Sequence, residues 1–160
     1  MDVTPIGLVS SPRTEPWDDD WDAVTSTITL DAQQFADEAL WGLQDFSHVE
    51  VVYLFDRVDP DRVQTKARDP RGNAAWPKVG IFAQRAKGRP NRLGVSVCEL
   101  LAVNGLTLAV RGLDAIDATP VLDLKPYMHE FAPRSPIRQP TWSHELMVGY
   151  WSNPQSNTAP

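Results

Sequence analysis

Leu93-Gly-Val-Ser-Val-Cys-Glu-Leu-Leu-Ala-Val-Asn-Gly-Leu-Thr-Leu-Ala-Val-Arg-Gly112 is the stretch that decides the fold. It contains two β-rich runs, Leu93 to Val103 and Leu106 to Gly112, on either side of Asn104-Gly105. That pair tolerates positive φ at both positions, as a type I′ turn requires, and an antiparallel hairpin is expected. Upstream lies Arg85-Ala-Lys-Gly-Arg-Pro-Asn-Arg-Leu-Gly94, which is too rich in glycine, proline and charge for a core or a regular helix. It reads as a cationic loop mounted between strands, since Val79 to Ala83 returns to an apolar run.

The same pattern extends outward along the chain. Ile6 to Ser10 is a short strand closed by a Ser-Ser-Pro turn. In Val24-Thr-Ser-Thr-Ile-Thr-Leu30, Val24, Ser26, Ile28 and Leu30 share one face, as in a half-buried strand. Val49 to Phe55 is apolar on most of both faces and reads as a central strand. Asp31 as an N-cap, with Phe35, Ala39 and Leu43 at intervals of four, predicts a helix over Ala32 to Leu43 that packs on the sheet. Asp59 to Pro77 is a long polar loop, and prolines 120 and 126 leave room for one short strand around Val121 to Leu124. The expected architecture is therefore mainly β, with one packed helix and an irregular C-terminal tail. The chain divides into a folded domain over 1–131 and a proline-rich aromatic tail over 132–160. Trp142 to Trp151 of that tail packs on the barrel or on a second subunit, and residues 152 to 160 are expected to be unordered.

Charge is distributed unevenly over the 160 residues. The formal net charge is −6, yet residues 57 to 92 hold ten cations (Arg57, Arg62, Lys66, Arg68, Arg71, Lys78, Arg85, Lys87, Arg89, Arg92) against Asp59, Asp61 and Asp69. That third carries +7 and the remainder −13. It is either a solvated loop or an anion-binding region. Pro16-Trp-Asp-Asp-Asp-Trp-Asp22 is either an exposed acidic turn or a lid whose carboxylates and indoles attract a cation. The aspartates of Leu113 to Asp123 could join the basic loop in clasping a ligand with both signs of charge, or the two could neutralise each other in salt bridges.

Several chemistries are excluded. No two of the nine glycines are two residues apart, so a G-x-G nucleotide loop is absent, as is a P-loop. His48, His129 and His144 are scattered, a single cysteine cannot build a zinc site, and no metal site is expected. Ser96 and Cys98 read as small packed residues rather than nucleophiles. Without a membrane span or a signal peptide, cytoplasmic residence is expected.

Beyond these patterns, Ile6-Gly-Leu-Val-Ser-Ser-Pro12, Phe46-Ser-His48, Val79-Gly-Ile-Phe-Ala-Gln-Arg85, Arg89-Pro-Asn91, Leu93-Gly-Val-Ser96 and Arg111-Gly-Leu-Asp-Ala-Ile-Asp-Ala-Thr-Pro-Val-Leu-Asp-Leu-Lys-Pro-Tyr127 resemble the TrmO, or TsaA-like, family over residues 5 to 131. The resemblance implies a small antiparallel β-barrel, S-adenosylmethionine as cofactor, a homodimer, and N-methylation of a modified adenosine in tRNA; the concentrated charge of the basic region 57–92 favours an RNA contact there. It also implies a cofactor site built from Asp56, Arg57, Arg85, Val95, Asp114, Ala115, Ile116 and Asp117. Arg89, Asn91, Lys125 and Tyr127 are the expected catalytic group. Gly88 and Arg92-Leu93-Gly94 depart from the family pattern, and with the acidic loop they keep a small-molecule acceptor as the alternative. A non-catalytic S-adenosylmethionine-binding dimer is the reading from a different functional class.

Overall fold

The structure is a computed structural model that describes residues 2–151. Six strands close into an antiparallel barrel: β1 (Gly7–Ser10), β2 (Thr25–Leu30), β3 (His48–Leu54), β6 (Leu93–Asn104), β7 (Thr107–Arg111) and β8 (Pro120–Pro126), in the order β1-β2-β7-β6-β3-β8. A separate two-stranded ribbon, β4 (Ala67–Arg68) with β5 (Val79–Gly80), lies in the long connection between β3 and β6. Closure leaves the barrel itself without an exposed edge strand, which suits a short chain that would otherwise present unpaired backbone groups.

Alternation sets the core. Val49, Val51 and Tyr53 point inward from β3, Ile28 and Leu30 from β2, Leu108 and Val110 from β7, and Val9 and Val121 from β1 and β8. Burying each of the aliphatic side chains among these contributes about 1.5–3 kcal/mol. The half-buried face predicted for 24–30 is the observed one; 49–55 forms β3 as expected, but in a closed barrel every strand has two neighbours, and β3 buries one face in alternation rather than both. Prolines 120 and 126 mark the two ends of β8, which makes that strand longer than the predicted segment 121–124.

The hairpin is present, but its turn is displaced by one residue. Asn104 pairs with Thr107, so Gly105 and Leu106 form the turn, with positive φ (54°) at Gly105 only. That is the II′ arrangement, in which glycine takes the first central position.

The helix predicted over Ala32 to Leu43 does not form. The chain makes one turn capped by Asp31, whose carboxylate accepts the Gln33 N–H at 2.9 Å, and then two 3-10 segments, Asp37–Leu40 and Leu43–Asp45. Ala36 is extended and Gly42 sits at φ 83°, so the backbone breaks twice within the expected helix. Phe35, Leu40 and Leu43 still reach the core, which accounts for the helical spacing that suggested one. Among the described residues the α-helix is α1 (Thr141–Leu146), in the tail, and no helix is long and apolar enough to cross a membrane. Residues 152 to 160 lie outside the described part.

Candidate active site

One end of the barrel gathers polar groups. Tyr53 points inward at the end of β3, and its partner in register on β6 is Gly94. The Tyr53 ring lies over Gly94, where an added Cβ would come within 2.3 Å of the ring. Leu113 to Thr119 then crosses this end of the barrel on the way to β8, presenting Asp114 to the interior. Asp114 Oδ1 accepts hydrogen bonds from Tyr53 Oη and Ser96 Oγ, and Oδ2 accepts one from Tyr150 Oη in the tail. Tyr53 Oη also lies 3.2 Å from the Asp114 carbonyl and 3.3 Å from Ser96 Oγ.

Burial, and then the adjacent Asp114 charge, pushes both tyrosine hydroxyls well above the ordinary phenol value. They remain protonated donors near neutrality. Burial likewise pushes the Cys98 thiol up to about 12. It behaves as a packed residue, not as a thiolate.

The tail reaches Asp114 because its backbone is tied to the acidic loop. The N–H groups of Asp20, Trp21 and Asp22 donate to the carbonyls of Gly149, Tyr150 and Trp151 at 3.1, 3.0 and 2.7 Å. A cleft of about 830 Å³ runs between the loop and Val148-Gly149, with Arg13, Trp17 and Asp18 among its walls. Trp21 is buried beneath the Arg13 guanidinium, 4.4 Å from the ring centre, whereas Trp17 is exposed.

The expected cofactor residues cluster beside this end. Arg57 donates from Nη1 to the Thr14 carbonyl and from Nη2 to the Asp117 carbonyl, both at 3.0 Å. Asp117 Oδ1 accepts the Ser11 N–H at 3.0 Å. Arg85 Nη2 donates to the Val95 carbonyl at 2.7 Å, one residue from Ser96, and its charge acts on Tyr150. Ala115 is buried, Ile116 half-buried and Asp56 exposed.

The expected catalytic four do not converge within one chain. Arg89 donates to the Gln84 carbonyl at 3.3 Å, and Asn91 is exposed two residues before β6, at the Tyr53 end. Lys125 pairs with Asp123 and stands opposite Glu50, while the Tyr127 N–H donates to the His48 carbonyl at 3.0 Å. Val121 is the β8 partner of Tyr53, so Lys125 lies four residues farther along, about 13 Å at strand rise. Tyr127 is farther still.

The basic region resolves the ambiguity about its charges. Among the described residues only Arg71 and Lys87 of its ten cations have a carboxylate partner, and both meet the acidic loop at Asp18 or Asp19. Arg57, Arg85, Arg89 and Arg92 instead brace neutral backbone carbonyls. Their guanidinium groups hold the loops in place while their positive charge stays uncompensated.

Tyr53, Ser96 and Tyr150 are the polar groups that sequence reasoning missed. Tyr53 is in phase with Val49 and Val51, and Ser96 with Cys98, which signals burial but not partnership. Nothing local links Tyr150 to Asp114, 36 residues away.

Comparison with known proteins places these features in context. The family profile of the tRNA-methyltransferase O N-terminal domain matches residues 12–138. A probable S-adenosyl-L-methionine-binding protein of Pyrococcus abyssi is 35% identical over 137 residues, which cover 84% of this chain and 72% of that one. A tRNA (adenine(37)-N6)-methyltransferase of Rattus norvegicus is 33% identical over 122 residues, 76% of this chain but 28% of the rat protein. Among solved structures, TrmO from Pseudomonas aeruginosa superposes with a TM-score of 0.71 at 30% identity, covering 89% of this chain and 61% of that one.

Proposed function

The chain belongs to the family of the tRNA-methyltransferase O N-terminal domain, and from that premise we propose that it is an S-adenosylmethionine-dependent methyltransferase whose acceptor is an adenosine nitrogen in tRNA. The observation that carries the reading is the gathering of Arg57, Asp117, Arg85, Val95 and Asp114 at one barrel end, beside a basic region whose charge is mostly uncompensated.

The residues present fit the cofactor. Asp114 already accepts three hydroxyls, which is the role a ribose or ammonium partner requires, and Arg57 and Arg85 are cations suited to a carboxylate. When bound, S-adenosylmethionine supplies an electrophilic methyl on a sulfonium, and the protein's task is alignment. Tyr53 and Ser96 hold the Asp114 carboxylate in one orientation. Tyr53 and Tyr150 stay protonated near neutrality, so neither serves as the base. Arg89 and Asn91 face the acceptor from the loop before β6.

Lys125 and Tyr127 complete the catalytic group from a second copy of the chain in a homodimer, since within one chain they stand at the far end of the barrel. Val95 and Val97 on the exposed face of β6 supply apolar surface for such a contact. The protein acts in the cytoplasm, and residues 1–131 form the methyltransferase barrel, onto which the tail packs with Tyr150 against Asp114.

A small cationic acceptor is the second reading, favoured by the cleft with acidic walls and exposed Trp17. Two measurements test the proposal. Calorimetric titration should show S-adenosylmethionine binding to the folded protein, and labelled methyl groups should transfer to bulk tRNA. A well-folded protein that binds no cofactor would end the enzyme reading. Cofactor binding with turnover of a small acceptor and none of tRNA would select the second.

A further inference from the structure

Phe82 is displayed outward by a turn that is held on every side. It lies in the 3-10 turn Ile81–Ala83, and its side chain is 78% exposed although Ile81 before it is 2% exposed. The turn cannot roll to bury the ring, because Gln84 locks it: Gln84 Nε2 donates to the carbonyls of Val79 at 3.0 Å and Arg68 at 3.2 Å. The Gln84 carbonyl in turn accepts from Arg89. On the other side, β4 and β5 pair Ala67 with Gly80 and Arg68 with Val79. The largest apolar side chain this rigid turn presents to solvent is a bare phenyl ring.

Charge decides what could cover that ring. Lys78, Arg85 and Arg89 lie within seven residues of it and have no carboxylate partner among the described residues. A protein partner burying Phe82 in an apolar contact would have to desolvate those cations. A nucleotide has the complementary chemistry, with a flat π-face for the ring and a phosphate on each side for the cations.

Resting on the tRNA reading above, we propose that Phe82 is the platform on which an unpaired base of the RNA acceptor stacks, with Lys78 and Arg89 holding the flanking phosphates. The residue thereby confers preference for single-stranded loops over duplex, because a paired base has no free face to offer. Phe82 positions the RNA and takes no part in the transfer.

The test compares the wild-type protein with Phe82→Ala, Phe82→Leu, Phe82→Trp and Lys78→Gln. Fluorescence anisotropy is read with a stem–loop RNA carrying a seven-nucleotide loop and with a duplex of equal length. Ala and Leu should each weaken stem–loop binding by about 5- to 150-fold, the range of one lost stacking contact. Trp should preserve it, and duplex binding should not change. The slope of log Kd against log salt should be unaltered in Phe82→Ala and should fall by about one in Lys78→Gln. The exposed position should leave the Tm of every Phe82 variant at the wild-type value. Rescue by Leu would overturn the proposal, because leucine has no π-face. So would Phe82→Ala dissociating a dimer, read by light scattering, with the loss of RNA affinity following the loss of the dimer. Stem–loop binding that is salt-dependent but indifferent to Phe82 would refute stacking and leave the tRNA reading standing. Failure of the wild-type protein to bind either RNA would remove both.

Discussion

Replacing Tyr53 with phenylalanine isolates the hydroxyl that ties the barrel to Asp114. The ring is 1% exposed and packs edge-to-face on Phe55 at 5.3 Å, and phenylalanine fills the same volume, so no cavity penalty arises. What is lost is one hydrogen bond to a carboxylate, worth about 1.5–3 kcal/mol. Asp114 Oδ1 keeps Ser96 as a donor, which places the expected loss near 2 kcal/mol. For a chain of this length that corresponds to about 4–8 °C in Tm. The pH dependence gives a second readout. The Tyr53 hydroxyl is raised in the folded state above the 10.0 of a free phenol, so its contribution is fully present below about pH 10 and is lost as the pH rises above it. Tyr150 behaves in the same way. Above pH 10 the wild-type protein should lose stability with a slope approaching three protons, from Tyr53, Tyr150 and the Cys98 thiol, each about 1.4 kcal/mol per pH unit, and Tyr53→Phe should remove one of them. Urea unfolding at a series of pH values measures both effects. A loss below about 0.5 kcal/mol at pH 7, together with an unchanged alkaline slope, would refute the claim that Tyr53 anchors Asp114.

Three further outcomes follow from the same geometry. Gly94→Ala places a methyl 2.3 Å from the Tyr53 ring and should cost about 3 kcal/mol in urea unfolding, because the ring has no space to retreat into. Cys98 is fully buried with its thiol pushed up to about 12, so thiol reagents should label it in urea and not in buffer; rapid labelling of the native protein would mean that the barrel opens at β6. Arg85→Ala removes an exposed brace on Val95 and should change the Tm by less than about 4 °C while weakening S-adenosylmethionine binding at least about tenfold by calorimetry. Intact binding with a large loss of stability would make Arg85 a structural brace.

The strands were legible wherever a period of two coincided with burial on one side, as in 24–30 and 49–55. The helix expected over 32–43 failed because its apolar spacing records three contacts with the barrel and not a continuous turn, and local φ at Ala36 and Gly42 overrides the pattern. The turn after Asn104 was displaced because two adjacent residues could each begin a tight turn, and the ladder between β6 and β7, with its bulge at Leu100/Ala102, selects between them.

For the candidate site the division is sharper. By itself the chain determined that this is a small, mainly β protein with a concentrated basic loop, without a nucleotide-binding glycine motif, and with family motifs that make Arg85, Asp114 and their neighbours candidates for the site. Those properties are local, since each depends on residues close together in the chain. Only the tertiary structure decided that Tyr53, Ser96 and Tyr150 meet on one carboxylate, that Lys125 stands far from Arg89, and that four of the seven arginines of the basic region brace carbonyls rather than neutralise aspartates. Contacts across 18 to 61 residues depend on how a closed barrel sets its register and where the tail crosses its end, and neither a period nor a charge count carries that information.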